Sequence, residues 1–178
     1  MNVRVTNRLL AVLSLAAGVA FGGPIGYFQT NLTSDIMGLA ANLDPNLKNP
    51  WGMSFAPTSP FWVSDQVTNV ATLYNAAGVP QSLIVSTPPS PGPGATGQVF
   101  AGGLGFTMNT GGQAVFVFAT LAGTIDAWNA GASAVTQFTA TDGAVYTGLA
   151  QVGSLLYAAD TRNGKIDVLE DDSFGRFR

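Results

Sequence analysis

Beyond residue 45 the chain alternates apolar and polar positions in short runs rich in β-branched and aromatic residues, and the runs recur in one order three times. The first copy reads Asn49-Pro50-Trp51-Gly52-Met53-Ser54-Phe55, then Phe61-Trp62-Val63-Ser64-Asp65, then Val70-Ala71-Thr72-Leu73-Tyr74-Asn75. The second reads Thr96-Gly97-Gln98-Val99-Phe100, then Val115-Phe116-Val117-Phe118-Ala119-Thr120, then Gly123-Thr124-Ile125-Asp126-Ala127-Trp128-Asn129. The third reads Tyr146-Thr147-Gly148-Leu149-Ala150, then Leu155-Leu156-Tyr157-Ala158-Ala159-Asp160, then Gly164-Lys165-Ile166-Asp167-Val168-Leu169-Glu170. Apolar residues at three- and four-residue spacing, the mark of helices, are missing, so the runs predict strands. The leading glycines Gly52, Gly97 and Gly148 stand 45 and 51 residues apart. Units of this length, built of short strands and Gly-rich turns, point to propeller blades and not to helical solenoids.

A fourth strand per unit reads at 82–86 and 134–139, whereas the third copy ends without a convincing one; Phe174 and Phe177 are thin evidence for it. The expected fold is therefore all-β, a partial β-propeller of about three four-stranded blades over 49–87, 95–140 and 145–178. Rings need roughly four to eight blades, so three leave an open arc and the chain reads as unfinished. A complete three-unit β-sandwich is the alternative. Residues 23–48 form a lead-in, with a strand expected over Tyr27–Thr33 and one helical turn within Asp35–Asn46. The prolines of Pro88-Pro89-Ser90-Pro91-Gly92-Pro93-Gly94 place an exposed loop between the first two units. Uncovered blade faces and a free strand edge predict self-association.

The first segment reads as an address. Arg4 and Arg8 precede the apolar run Leu9–Phe21, which ends among Gly18, Ala20, Gly22 and Gly23, the pattern of a helical signal peptide over 1–22 cut after Ala20 or Gly22. The run falls short of the ~20 residues needed to cross a bilayer, so no membrane span is expected once it is removed, an uncleaved anchor being the alternative. Export to the periplasm, cell envelope or exterior follows. Losing both arginines makes a chain of net charge −3 still more acidic. With no Lys/Arg cluster left to neutralise phosphates, nucleic acid is not an expected partner. Hydrophobic residues make up 47% against 10% charged, enough apolar surface for a core.

The chain has no His and no Cys, which removes imidazole bases, thiol nucleophiles and disulfides from it. Ser133 and Ser154 thus lack a triad partner, and the Gly-rich stretches have no P-loop lysine. Because adjacent strands are antiparallel, the turn entering each unit and the turn between its second and third strands open at one end. Trp51, Asp65, Thr120, Tyr146, Asp160 and Arg162 are the candidate binding residues there. Asp65 and Asp160 suit a carboxylate pair or two ligands of a hard cation such as calcium, but Thr120 breaks the series. The structural reading of these carboxylates is stronger: an Asp at a strand end accepts backbone amides of the turn that follows. No catalytic or metal-ligating set and no cofactor are expected. Arg162 fits an anion or a salt bridge to Asp160 or Asp167, while Asp126 and Asp167 read as solvent-facing. Trp62 and Trp128 read as packing between units, and Trp51 as the one tryptophan at a pocket able to stack on a sugar.

The blocks Thr30-Asn31-Leu32-Thr33-Ser34-Asp35, Asp44-Pro45-Asn46-Leu47-Lys48-Asn49-Pro50-Trp51-Gly52, Ser59-Pro60-Phe61-Trp62-Val63-Ser64-Asp65 and Leu73-Tyr74-Asn75 resemble an uncharacterised family of exported bacterial NHL-like β-propeller proteins. Asp160-Thr161-Arg162-Asn163-Gly164-Lys165-Ile166-Asp167-Val168 is similar to the general NHL consensus. The resemblance implies a propeller and carries over no activity. Its members are about twice as long, which implies an N-terminal half. The expected function is an exported binding or interaction module for an extracellular ligand or protein. The alternative is half of a propeller enzyme of lactonase or lyase type, inert without its other blades, since Glu170 is the sole glutamate.

Overall fold

The computed structural model describes residues 26–89, 92–102 and 105–171; the expected leader, Ser90-Pro91 of the proline loop, and Phe174 and Phe177 lie outside them. Among the described residues the fold is all-β, with thirteen strands, no helix and four sheets, none of them closed. The lead-in contributes β1 (Thr33–Ser34) and β2 (Asn42–Leu43), a short parallel pair. Of the strand expected from Tyr27 only its end at Thr33 pairs, and Tyr27 and Phe28 stand fully exposed. The expected helical turn over Asp35–Asn46 is replaced by the loop and second strand of this pair.

The three repeats each fold as an antiparallel meander. Sheet 1 holds β3 (Pro50–Ser54), β4 (Phe61–Asp65), β5 (Val70–Tyr74) and β6 (Pro80–Ser86). Sheet 2 holds β7 (Ala95–Phe100), β8 (Phe116–Thr120), β9 (Thr124–Trp128) and β10 (Val135–Thr139). Sheet 3 holds β11 (Tyr146–Val152), β12 (Leu155–Asp160) and β13 (Lys165–Glu170), with no fourth strand among the described residues. The turns leading into the third strands match as well. Asn69, Gly123 and Gly164, each just before β5, β9 or β13, have φ of 55°, 73° and 65°, the left-handed region that Gly and Asn tolerate.

The sheets stack through their first strands. Each of β3, β7 and β11 breaks register near its N-terminus, between Pro50 and Met53, Ala95 and Gln98, and Tyr146 and Gly148. The three leading glycines sit at these breaks. A Cβ on Gly52 would strike the Thr96 carbonyl oxygen and lie 2.9 Å from the Gln98 nitrogen; one on Gly97 would strike the Leu149 nitrogen. Glycine is thus what lets neighbouring backbones approach so closely, and a side chain would wedge the sheets apart. At the outer edge a bridge joins sheet 1 to sheet 2, with Ser86 N–H donating to the Ala132 carbonyl and Ala134 N–H to the Ser86 carbonyl, both at 2.9 Å.

Two apolar clusters fill the spaces between sheets. Between sheets 1 and 2, Trp62 stacks on Phe116 with ring centroids 4.2 Å apart and meets Trp128 at 4.7 Å, beside Leu73, Val85 and Phe118. Between sheets 2 and 3 lie Val117, Ile125, Ala127, Leu156, Ala158 and Leu169, with Phe106 and Met108 from the β7–β8 loop. Sheet 2 is covered on both faces, so β8 and the first four residues of β9 are buried without alternation.

Candidate functional site

The register confirms that entry turns and second-to-third turns share one end of every sheet: Pro50 pairs with Asp65, Ala95 with Thr120, and Tyr146 with Asp160. Side chains tie the two turns together there, Asn49 Nδ2 donating to Gln66 Oε1 at 2.9 Å and Thr147 Oγ1 meeting Thr161 Oγ1 at 2.6 Å. The six candidate residues part company in what they do.

Asp160 and Thr120 hold their own turns. Asp160 Oδ1 accepts the amides of Val145, Arg162 and Asn163 at 3.1, 3.1 and 3.2 Å, and Oδ2 accepts Asn163 Nδ2 at 2.6 Å. Burial pushes this carboxyl upward, but those donors outweigh it and hold it below its ordinary value. Thr120 Oγ1 does a similar job, accepting the amides of Ala122 and Thr124 at 3.2 and 3.3 Å and meeting Thr124 Oγ1 at 2.7 Å. A repeated position here has a repeated structural role, holding the turn that follows it.

Asp65 departs from its counterparts. Its Oδ2 accepts Thr72 Oγ1 at 2.6 Å, Thr72 Oγ1 lies 2.8 Å from the Tyr74 hydroxyl, and that hydroxyl donates to Asp44 Oδ2 at 2.7 Å. All four side chains are buried, and the chain of contacts fastens the lead-in segment to sheet 1. Burial, with help from the charge of Asp44, pushes Asp65 up to about 7 against the pull of the Thr72 hydrogen bond. Asp44 was not a candidate from the sequence, though its place in Asp44-Pro45-Asn46 reads as an Asx turn: Oδ1 accepts the Asn46 amide at 2.9 Å.

Tyr146 belongs to the core and not to the open end. It is fully buried between sheets 2 and 3, and its hydroxyl donates to Asp167 Oδ2 at 2.9 Å, burial raising the phenol above its ordinary range. Arg162 is exposed over the turn at Gly143 and forms no ion pair with Asp160 or Asp167. Lys165 takes that part, at 2.7 Å from Asp142, 2.8 Å from Asp167 and 3.9 Å from Asp160, because the β12–β13 register sets it directly opposite Asp160. Asp126, expected in solvent, is completely buried on the sheet 1 side of sheet 2. Thr124 and Thr136 temper its titration, yet neither oxygen has a hydrogen bond of sound geometry, and burial pushes the carboxyl up to about 7.

Asp160 borders a shallow groove with Thr161, Lys165 and Ile166, and Trp51 lines a groove between the sheets. There the first strands of all three sheets run side by side and enclose about 260 Å³, with Trp51, Gly52, Thr96, Gly97, Thr147 and Gly148 along the walls. Trp51 is 46% exposed, whereas Trp62 is buried and Trp128 spends its indole N–H on the Gly131 carbonyl at 2.9 Å. Gln98 and Thr96 brace the groove from behind. Gln98 Nε2 donates to the Gly52 and Trp62 carbonyls of sheet 1, and Thr96 Oγ1 lies 2.7 Å from the Tyr146 carbonyl of sheet 3. Among the described residues no charged side chain lines the groove. Its chemistry is one indole face, the apolar Met53 and Leu149, the Gln98 amide, threonine hydroxyls and glycine backbone. Among the described residues no group of three or more Asp or Glu is placed to hold a metal ion. A scan against family models and a search of curated proteins return no match to the chain.

Proposed function

We propose that the three meander sheets are successive blades of an exported β-propeller-type module that binds a neutral, hydroxyl-rich ligand such as a glycan along the groove of their first strands. The observation that carries the reading is the glycine ladder. The same register break, the same glycine and the same backbone-on-backbone contact recur from sheet to sheet, as in a radial repeat whose first strands line a channel. The half-exposed Trp51 offers a flat apolar face for a pyranose ring, and the uncharged walls disfavour an ionic ligand. The Arg4, Arg8 and Leu9–Phe21 pattern supports an extracellular or envelope setting, where such ligands are found.

Titration of the purified protein with a panel of neutral oligosaccharides, followed by tryptophan fluorescence and calorimetry, tests this. Binding should weaken at least tenfold in Trp51→Ala, with the thermal midpoint unchanged. Binding that is indifferent to Trp51 would refute the groove as the site.

A further inference from the structure

The large apolar side chains left exposed among the described residues lie on the lead-in and on sheets 1 and 3 with their turns; sheet 2 has none. They sit at the two ends of the stack. On sheet 3 the alternation set by Leu156, Ala158 and Leu169, which face sheet 2, turns Val152, Tyr157, Ala159, Ile166 and Val168 the other way. Ile166 is 66% exposed, Val152 67% and Val168 51%. On sheet 1, where Trp62 faces sheet 2, the opposite face presents Met53, Phe55 and Phe61, exposed by 65%, 59% and 37%. Beside them a groove of about 540 Å³ separates that face from the lead-in. Apolar faces of this kind, absent from the middle of the same stack, mark surfaces built to be covered.

We propose that a second copy of the chain covers both ends. Sheet 3 of one copy docks on the outer face of sheet 1 of the other, and reciprocally, so that two chains close a ring of six sheets. The inference rests on reading the sheets as blades. Its basis is continuity with the two interfaces already inside the chain. Gly52 packs on Thr96 to Gln98 of the next first strand, and Gly97 packs on Gly148 and Leu149 of the one after. Gly148 holds the same place on β11, but its open side meets only the Ala159 Cβ of its own sheet, at 3.7 Å. One further step of the ladder sets Gly148 against a first strand such as Pro50–Ser54, where Trp51 and Met53 stand exposed. Six sheets fall within the ~4–8 that closed rings use. A head-to-tail contact repeated twice by a two-fold axis closes on itself and leaves no end free to polymerise. The Trp51 groove would then run round a full channel instead of an arc.

Light scattering on the purified protein at micromolar concentration should give twice the chain mass. Gly148→Val should give a monomer with the circular dichroism spectrum of the wild type, because the added methyls enter open space within the single chain, and its thermal midpoint should no longer rise with protein concentration. The chain has no cysteine, so Ile166→Cys and Phe61→Cys variants report orientation. A disulfide-linked pair should form on mixing the two variants and in neither alone. A monomeric wild type, or Ile166→Cys linking to itself, overturns the proposal. The two readings separate cleanly: a monomer that still binds oligosaccharide through Trp51 refutes the ring and leaves the groove standing. A mixed-disulfide dimer without Trp51-dependent binding supports the ring and refutes the groove.

Discussion

Tyr74 donates its hydroxyl proton to Asp44 across 2.7 Å, joining the third strand of sheet 1 to a segment thirty residues earlier in the chain. The contact is one of three in a row, Asp44 to Tyr74 to Thr72 to Asp65. Tyr74→Phe keeps the ring and removes the link. It should lower stability by about 1–2 kcal/mol and speed proteolytic cleavage within 30–45, while sheets 2 and 3 keep their amide protection.

Asp65 and Asp126 together set a pH dependence. Each is raised from 3.8 to about 7, so the folded protein holds protons that the unfolded chain releases between those values. Their stabilisation is fully present below about pH 4, falls as pH rises and is gone above about 7, a change on the order of a few kcal/mol. Asp142 and Asp160, held below 3.8, act in the opposite sense and lose their contribution only as pH falls through their lowered values. Urea denaturation from pH 4 to 8 should show the decline, and Asp126→Asn should flatten it and leave the variant more stable than wild type at pH 8.

The ladder predicts unequal glycines. Gly97→Ala drives a methyl into the Gly148-Leu149 backbone and should cost about 1–3 kcal/mol. Gly148→Ala should change the stability of the single chain by less than about 0.5 kcal/mol. Denaturation midpoints of the two variants give the comparison directly.

Trp62→Ala empties the stack shared with Phe116 and Trp128 and should cost about 3–5 kcal/mol. Asp160→Ala strands the amides of Val145, Arg162 and Asn163 and should lower the thermal midpoint more than Asp160→Asn, which keeps an acceptor oxygen.

The strands were legible because period-two alternation and β-branched residues mark them locally. Phe61–Asp65 and Val70–Tyr74 fall where the apolar runs place them, and the fourth strands over 80–86 and 135–139 contain or closely match the expected ones. The role of Asp160 was legible too, as a turn-holding carboxylate at a strand end. Asp126 was misread because a lone acid between Ile125 and Ala127 looks like the wet face of a half-buried strand. It lies instead in a sheet covered on both sides, which only the tertiary stack decides. Tyr146 was misplaced for a related reason, since the register break before Gly148 turns its ring inward. The Asp44 to Asp65 chain joins positions far apart in sequence, and no local pattern reports it.

The stack also has a grain. Each sheet touches only its neighbours, so cohesion is a sum of face-to-face contacts, two for sheet 2 and one for each of the others. Sheet 3, with one face buried against sheet 2 and β13 as its last strand among the described residues, is the first part to peel away. Hydrogen exchange should therefore run as a gradient along the chain, slowest at Phe116–Trp128. A protease or a pulling force would find its grip at β13 long before it reached the tryptophan stack.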